Sequence, residues 1–210
     1  VQSFRELIAE RGIDFAPLQG EFLELIQTPE GKAALAGKGN PLALPRTVMP
    51  MLRQMLADAW AIAPGHDAVV FHTKALSGYS IAERLGIPGF LALPLPLYSP
   101  TAAFPSLLLP FANLGAPLNR ASHRLMLKLA TASTQRMVNH WRREALGLPP
   151  VRNELKLHGA PLSRLYAYSP QVLPTPPDWD GSSVATGYWF LDRPARWQPP
   201  EALAAFLEHG

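Results

Sequence analysis

The chain has 210 residues, 48% of them hydrophobic and 17% charged, with a formal net charge of +3. That composition excludes a disordered or solvating chain, and the length suits one large domain or two small ones with a real core. With no cysteine, the sequence excludes a disulfide framework, a thiolate zinc site, an iron–sulfur cluster and a cysteine nucleophile. The small excess of 19 Lys+Arg over 16 Asp+Glu is a weak argument for nucleic acid, which is not expected as a partner.

Proline is unusual at 23 residues, roughly twice the ordinary usage of about 5%. These prolines punctuate apolar segments, so they shape loops and strand ends rather than build a linker. The chain opens on Val1 and is helical and charged from Phe4 to Arg11, with no signal-peptide pattern. It reads as a segment whose beginning lies elsewhere.

In chain order, Phe4, Leu7 and Ile8 before Gly12 predict a helix tail, and Ile13 to Leu18 a short alternating strand. Residues 19–45 read as loop. Thr47 caps a predicted helix from about Val48 to Ala63, with Met51, Leu52, Met55, Leu56, Ala59 and Trp60 at helical spacing. Ala68 to Phe71 is a continuous apolar run, as expected of a strand buried on both faces. The loop His72 to Ser77 follows, then a helix around Ser80 to Leu85, a stop at Gly86, and a second apolar strand over Gly89 to Leu93. Strand, helix and strand at this spacing predict a βαβ unit and a parallel sheet. Ligands on such sheets sit beyond the C-terminal strand ends, here His72–Ser77 and Pro94–Phe104.

From Leu85 to Asn119 there is no charged residue and no histidine. Seven prolines in this stretch exclude a transmembrane helix, because each would break the hydrogen-bond ladder. Three readings stay open: a wall for an apolar ligand, plain core, and contact with a membrane surface. Ala121 to about Leu146 predicts a long helix. Met126, Leu129, Ala130, Ser133, Met137 and Trp141 fall on one face, and Arg120, Arg124, Lys128 and Arg142 on the other. That basic side reads as a solvated face or as one that meets an anionic membrane. Arg164 to Ser169 and Val184 to Tyr188 read as strands, 192–200 as a linker, and Pro200 to Leu207 as a starting helix.

Several chemistries fail on spacing. The six histidines show no i,i+4 pair and no HExxH, so no metal site is expected. Gly31 to Gly37-Lys38 has five residues between the glycines instead of four, and Gly39 stands where a phosphate loop needs Ser or Thr. No GxSxG supports a serine hydrolase. His72 stands out by position, at the end of a strand where α/β sheets place active sites. It could orient or deprotonate a substrate hydroxyl, or cap the next loop.

His72-Thr73 with Ser77-Gly78-Tyr79-Ser80-Ile81-Ala82-Glu83-Arg84-Leu85-Gly86-Ile87-Pro88 resembles the IAE-LGIP segment of the two-domain glycosyltransferases that act on sterols, lipids and antibiotic aglycones. Pro100-Thr101-Ala102-Ala103-Phe104-Pro105 resembles their PT--FP loop. Tyr168-Ser169-Pro170, Pro177-Asp178-Trp179 and Thr186-Gly187-Tyr188-Trp189 resemble the close of their N-terminal domain. The matches run along nearly the whole chain in order. The resemblance implies an α/β, Rossmann-like parallel sheet with flanking helices, the acceptor-binding half of a GT-B fold. Residues 1–190 would form part of that domain, and 191–210 the linker and start of the next helix. It further implies inverting transfer of a hexose from a UDP-sugar to a hydroxyl of a lipophilic acceptor, with no metal or other cofactor.

The family's first strand and GxxGD loop are expected before Val1, and its HHGG donor motif after Gly210. In plant-type relatives an Asp stands where His72 is, so that Asp–His relay does not carry over. The expected acceptor site comprises His72, Thr73, Ser77, Leu97, Tyr98, Thr101 and Phe104, with His72 and Thr73 facing the hydroxyl. The expected location is cytoplasmic, with peripheral membrane contact through helix 121–146. The rival reading is a non-catalytic half-domain that binds an apolar ligand, or that docks a separate donor domain or a membrane surface.

Overall fold

The computed structural model describes residues 4–18, 28–29, 32, 43–151, 155–191 and 198–209. Four strands form one parallel sheet in the order β1 (Val69–Phe71), β2 (Gly89–Leu93), β5 (Ser163–Tyr166), β6 (Ser183–Ala185). The hairpin β3 (Lys156–Leu157) and β4 (Ala160–Pro161) leads into β5. The fold is thus the expected α/β class, a Rossmann-like parallel sheet with helices against it.

The predicted βαβ unit forms as read. Helix α3 (Gly78–Leu85) joins β1 to β2, and Val69 pairs with Gly89. Gly86 ends α3 in the left-handed region at φ 70°, which a side chain adopts only with strain. The first contact of α3 with the sheet is closer than a side chain allows. A Cβ on Gly78 would stand 2.2 Å from the Phe71 ring.

Helix α2 (Ala43–Ile62) starts earlier than predicted, and helix α4 (Ala116–Leu146) begins five residues before Ala121. Ala59, Ala63 and Ile81 bring α2 and α3 together, with Trp141 of α4 against them. The main core lies on the sheet: Leu91, Leu93, Leu162 and Tyr166 are buried, and Trp179 packs on the Tyr166 ring at 5.4 Å. Helices α1 (Arg5–Ala9) and α5 (Glu201–His209) stand at the two ends.

Four expectations need correction. Ile13 to Leu18 forms neither strand nor helix. β1 is not buried on both faces: among the described residues it is the sheet edge, and Val70 is 66% exposed. Apolar content alone could not distinguish an edge from a centre. The α4 faces also differ. Leu129 is exposed rather than inward, and Arg142, read as solvent-facing, is buried at 1% exposure. Its guanidinium pairs with Glu83 at 2.9 Å and donates to Ser80 Oγ at 2.9 Å and to the Pro149 carbonyl at 2.9 Å. A buried charge is tolerated only with such partners. The last strand is shorter than read, ending at Ala185. Residues 192–197 of the predicted linker and most of 19–45 lie outside the described residues.

Candidate functional site

A cavity of about 610 Å³ opens between the sheet and helices α2, α3 and α4. Its apolar wall includes Val48 and Leu52 of α2, Phe71 and Leu91 of the sheet, and Val138 of α4. Thr73 and Lys74, just beyond β1, line another part, where the strand-end rule placed a site. Volume and lining fit a drug-sized apolar ligand.

The α4 wall is made of small residues: Ala130, Thr131, Ser133 and Thr134, then Gln135. Two of them bond back into the helix. Thr131 donates to the Leu127 carbonyl at 3.1 Å, and Thr134 to the Thr131 carbonyl at 3.3 Å. Their hydroxyl protons are spent, so toward a ligand they offer acceptor lone pairs only. Gln135 donates through Nε2 to Asn139 at 3.2 Å.

The expected acceptor residues divide. Thr73 and Tyr98 line the cavity. Tyr98 is held by its carbonyl, which accepts from Arg164 at 3.1 Å. His72 precedes Thr73 but is not on the cavity wall. It caps the 3-10 turn Thr73–Ala75: its Nδ1 accepts from the Lys74 amide at 3.1 Å. In the neutral ring the proton therefore sits on Nε2, which is a donor. Burial, and then the Lys74 charge, push the His72 pKa below its ordinary value, which favours that neutral form. The capping alternative is thus realised, and deprotonation by His72 would require breaking the cap.

Ser77 is buried and donates to the Ala75 carbonyl at 3.1 Å. Leu97 is half-buried and off the cavity. Thr101 and Phe104 are also off it, and they serve a joint. Thr101 is fully buried and donates to Asp178 at 2.6 Å. The Ala102 amide at 2.8 Å and Arg120 at 2.6 Å bond the same carboxylate. Burial pushes the Asp178 pKa up, but the Thr101 and Arg120 bonds and the Ala102 amide outweigh it and hold it at about 2. The Phe104 carbonyl accepts from His123 at 3.0 Å, and the two rings meet edge to face at 5.9 Å. Burial lowers the His123 pKa, so the ring is neutral and Nε2 is its donor.

Of the uncharged stretch 85–119, only Leu91 and Tyr98 reach the cavity. Sequence reasoning missed the α4 wall, and the signal was present. Thr131-Ala132-Ser133-Thr134 is a run of small residues inside a long helix, where packing would ordinarily ask for larger ones.

The fold and site thus define an α/β protein with a Rossmann-like parallel sheet and an apolar cavity beyond β1, walled on one side by small residues of α4. No family model matches the chain. Relatives do, and they are named Sterol 3-beta-glucosyltransferase. One, from Neurospora crassa, is 32% identical over 212 residues, covering 98% of this chain and 13% of its own. Another, from Aspergillus fumigatus, is 31% identical over 205 residues, 97% of this chain and 14% of its own. A third, from Cryptococcus neoformans, is 32% identical over 169 residues, 76% of this chain and 10% of its own. The chain belongs with these glycosyltransferases, as a relative of one segment of them.

Proposed function

We propose that this chain supplies the acceptor site of a glucosyltransferase whose substrate is a sterol carrying a 3β-hydroxyl. The observation that carries the reading is the 610 Å³ apolar cavity, in a chain whose relatives bear that name over nearly its full length. The sterol rings lie against Leu52, Phe71, Leu91 and Val138. The hydroxyl points toward the Thr73 end, where the strand-end loop opens.

The sugar comes from a UDP-hexose, held by a donor half that the family's architecture supplies. The acceptor oxygen bonds to the anomeric carbon as the bond to the diphosphate breaks, with inversion, and the hydroxyl proton passes to a base that the rest of the enzyme contributes. Helix dipoles and side chains of the donor half stabilise the leaving diphosphate without a metal. His72 lies at that end and offers an Nε2–H donor, so its role is to orient an oxygen rather than to take its proton. The working location is the cytoplasmic side of a membrane, reached from the helix 121–146 side, because sterols are bilayer lipids.

The direct test is binding of dehydroergosterol, delivered from cyclodextrin and read by energy transfer from tryptophan. Saturable binding is expected, and Val138→Trp should abolish it while the circular dichroism spectrum stays native. No saturable binding, or equal binding by the folded variant, overturns the sterol site. In a longer enzyme carrying this segment, His72→Ala should lower turnover, and unchanged turnover removes His72 from the reaction. Sterol binding with no transfer by that longer enzyme would favour the non-catalytic binding module.

A further inference from the structure

Two walls of the cavity differ in relief. One is the sheet. Phe71 of β1 and Leu91 of β2 are register partners and both line the cavity, so their side chains rise from the same face. Neither can withdraw. The Gly78 backbone is packed so close to the Phe71 ring that a Cβ there would stand 2.2 Å from it. Leu91 is 1% exposed and is held by the core around it. The sheet wall is therefore broad and rigid.

The α4 wall has a step. Ala130, Thr131, Ser133 and Thr134 line the cavity first, and the larger Gln135 and Val138 follow. Ala130 and Thr134 are four residues apart and share one side of the helix, with Ser133 beside them. Thr131 and Thr134 turn their hydroxyls onto the Leu127 and Thr131 carbonyls, at 3.1 and 3.3 Å. This turn therefore meets a ligand through its shape rather than by donating hydrogen bonds. It leaves a recess about one helical turn long, roughly 5.4 Å, in that wall.

A 3β-hydroxy sterol has the matching asymmetry. Its α face is flat. Its β face carries two axial methyl groups at the ring junctions. The hydroxyl is equatorial and leaves in the plane of the rings, toward neither wall. We infer that Ala130, Ser133 and Thr134 determine acceptor specificity by receiving the methyl-bearing β face of the sterol, while its flat α face lies on Phe71 and Leu91. The inference rests on the sterol reading and adds which steroid skeletons the site selects. In the reverse placement the methyl groups would press on the Phe71 ring, which the Gly78 backbone keeps from moving. A skeleton whose first two rings are cis-fused bends its first ring toward the α face, into the same unyielding wall.

The experiment is displacement of dehydroergosterol by cholesterol, 19-norcholesterol, cholestanol and coprostanol, each delivered from cyclodextrin. The 19-nor compound lacks one angular methyl, and coprostanol is the cis-fused counterpart of cholestanol. The wild type should bind 19-norcholesterol about fourfold more weakly than cholesterol, which is the worth of one buried methyl. It should bind coprostanol about tenfold more weakly than cholestanol. Ala130→Leu with Ser133→Leu fills the recess. That variant should lose about tenfold for cholesterol and less for 19-norcholesterol, so that the preference between the two closes or reverses. Both positions are exposed, so leucine there enters the cavity and not the core, and circular dichroism checks the fold. Ser133→Ala keeps the small size and should keep the wild-type ratios. Equal loss for both sterols in the leucine variant, or no loss, overturns the inference. So does Ser133→Ala acting like the leucine variant, because the hydroxyl and not the size would then matter. Coprostanol binding as tightly as cholestanol overturns it too. In each of these cases dehydroergosterol still binds and the sterol site stands, whereas a wild type that binds no sterol overturns both.

Discussion

Asp178 ties three segments through one carboxylate: Thr101, the Ala102 amide and Arg120 all donate to it. Asp178→Asn keeps the shape but loses the charge and part of the acceptor capacity, and should cost about 1–3 kcal/mol in chemical denaturation. Its folded pKa of about 2 lies below the ordinary 3.8. The carboxylate therefore stabilises the fold above pH 4, and that stability is lost as pH falls from about 4 toward 2. Melting temperature against pH should be steeper there for the wild type than for Asp178→Asn. Gly78 is a packing residue of another kind. A Cβ there would overlap the Phe71 ring, so Gly78→Ala should cost about 1–3 kcal/mol. Phe71 also lines the cavity, so the same variant should weaken the proposed sterol binding in the fluorescence titration. Neither role could be read from residue type alone. Asp178 was legible only as part of a family-like segment, and Gly78 as one glycine among 15.

Between elements, the decisive contact is the one α4 makes with α3. Arg142 reaches across to Glu83 and Ser80 and lies over the Tyr79 ring at 5.9 Å. Tyr79 is itself on the cavity wall. Arg142→Ala should destabilise by about 3–5 kcal/mol, because it leaves the Glu83 carboxylate without its cation in a half-buried place. Arg142→Lys should recover only part of this, since a single ammonium nitrogen cannot stand both where Nε donates to Pro149 and where Nη1 serves Ser80 and Glu83. Urea unfolding of the two variants checks both statements. The helical period located α4 correctly but misassigned its faces. A helix of 31 residues passes several different neighbours, so a single apolar stripe does not describe it. Its first half meets the loop 105–114, and its second half meets α3 and the cavity. Period alone carries no information about which neighbour comes where.

For the molecule as a whole, the cavity implies a linkage between ligand and stability. A sterol that binds only the folded chain should raise stability by about 2.7 kcal/mol at a hundredfold excess over its Kd. The rise should appear as a melting temperature that depends on sterol concentration, and it should be absent in Val138→Trp. The sequence by itself determined the α/β class, the β1–α3–β2 unit and the kinship with glycosyltransferases. Those depend on local apolar period, glycine stops and short motifs, which act over a few residues. Tertiary contacts alone settle that β1 is an edge among the described residues, that Arg142 is inside, that Thr101 and Phe104 hold a joint, and that small residues of α4 wall the cavity. Each of these is set by contacts between residues distant in the chain, where burial and hydrogen bonding depend on what packs opposite and not on the neighbours in sequence.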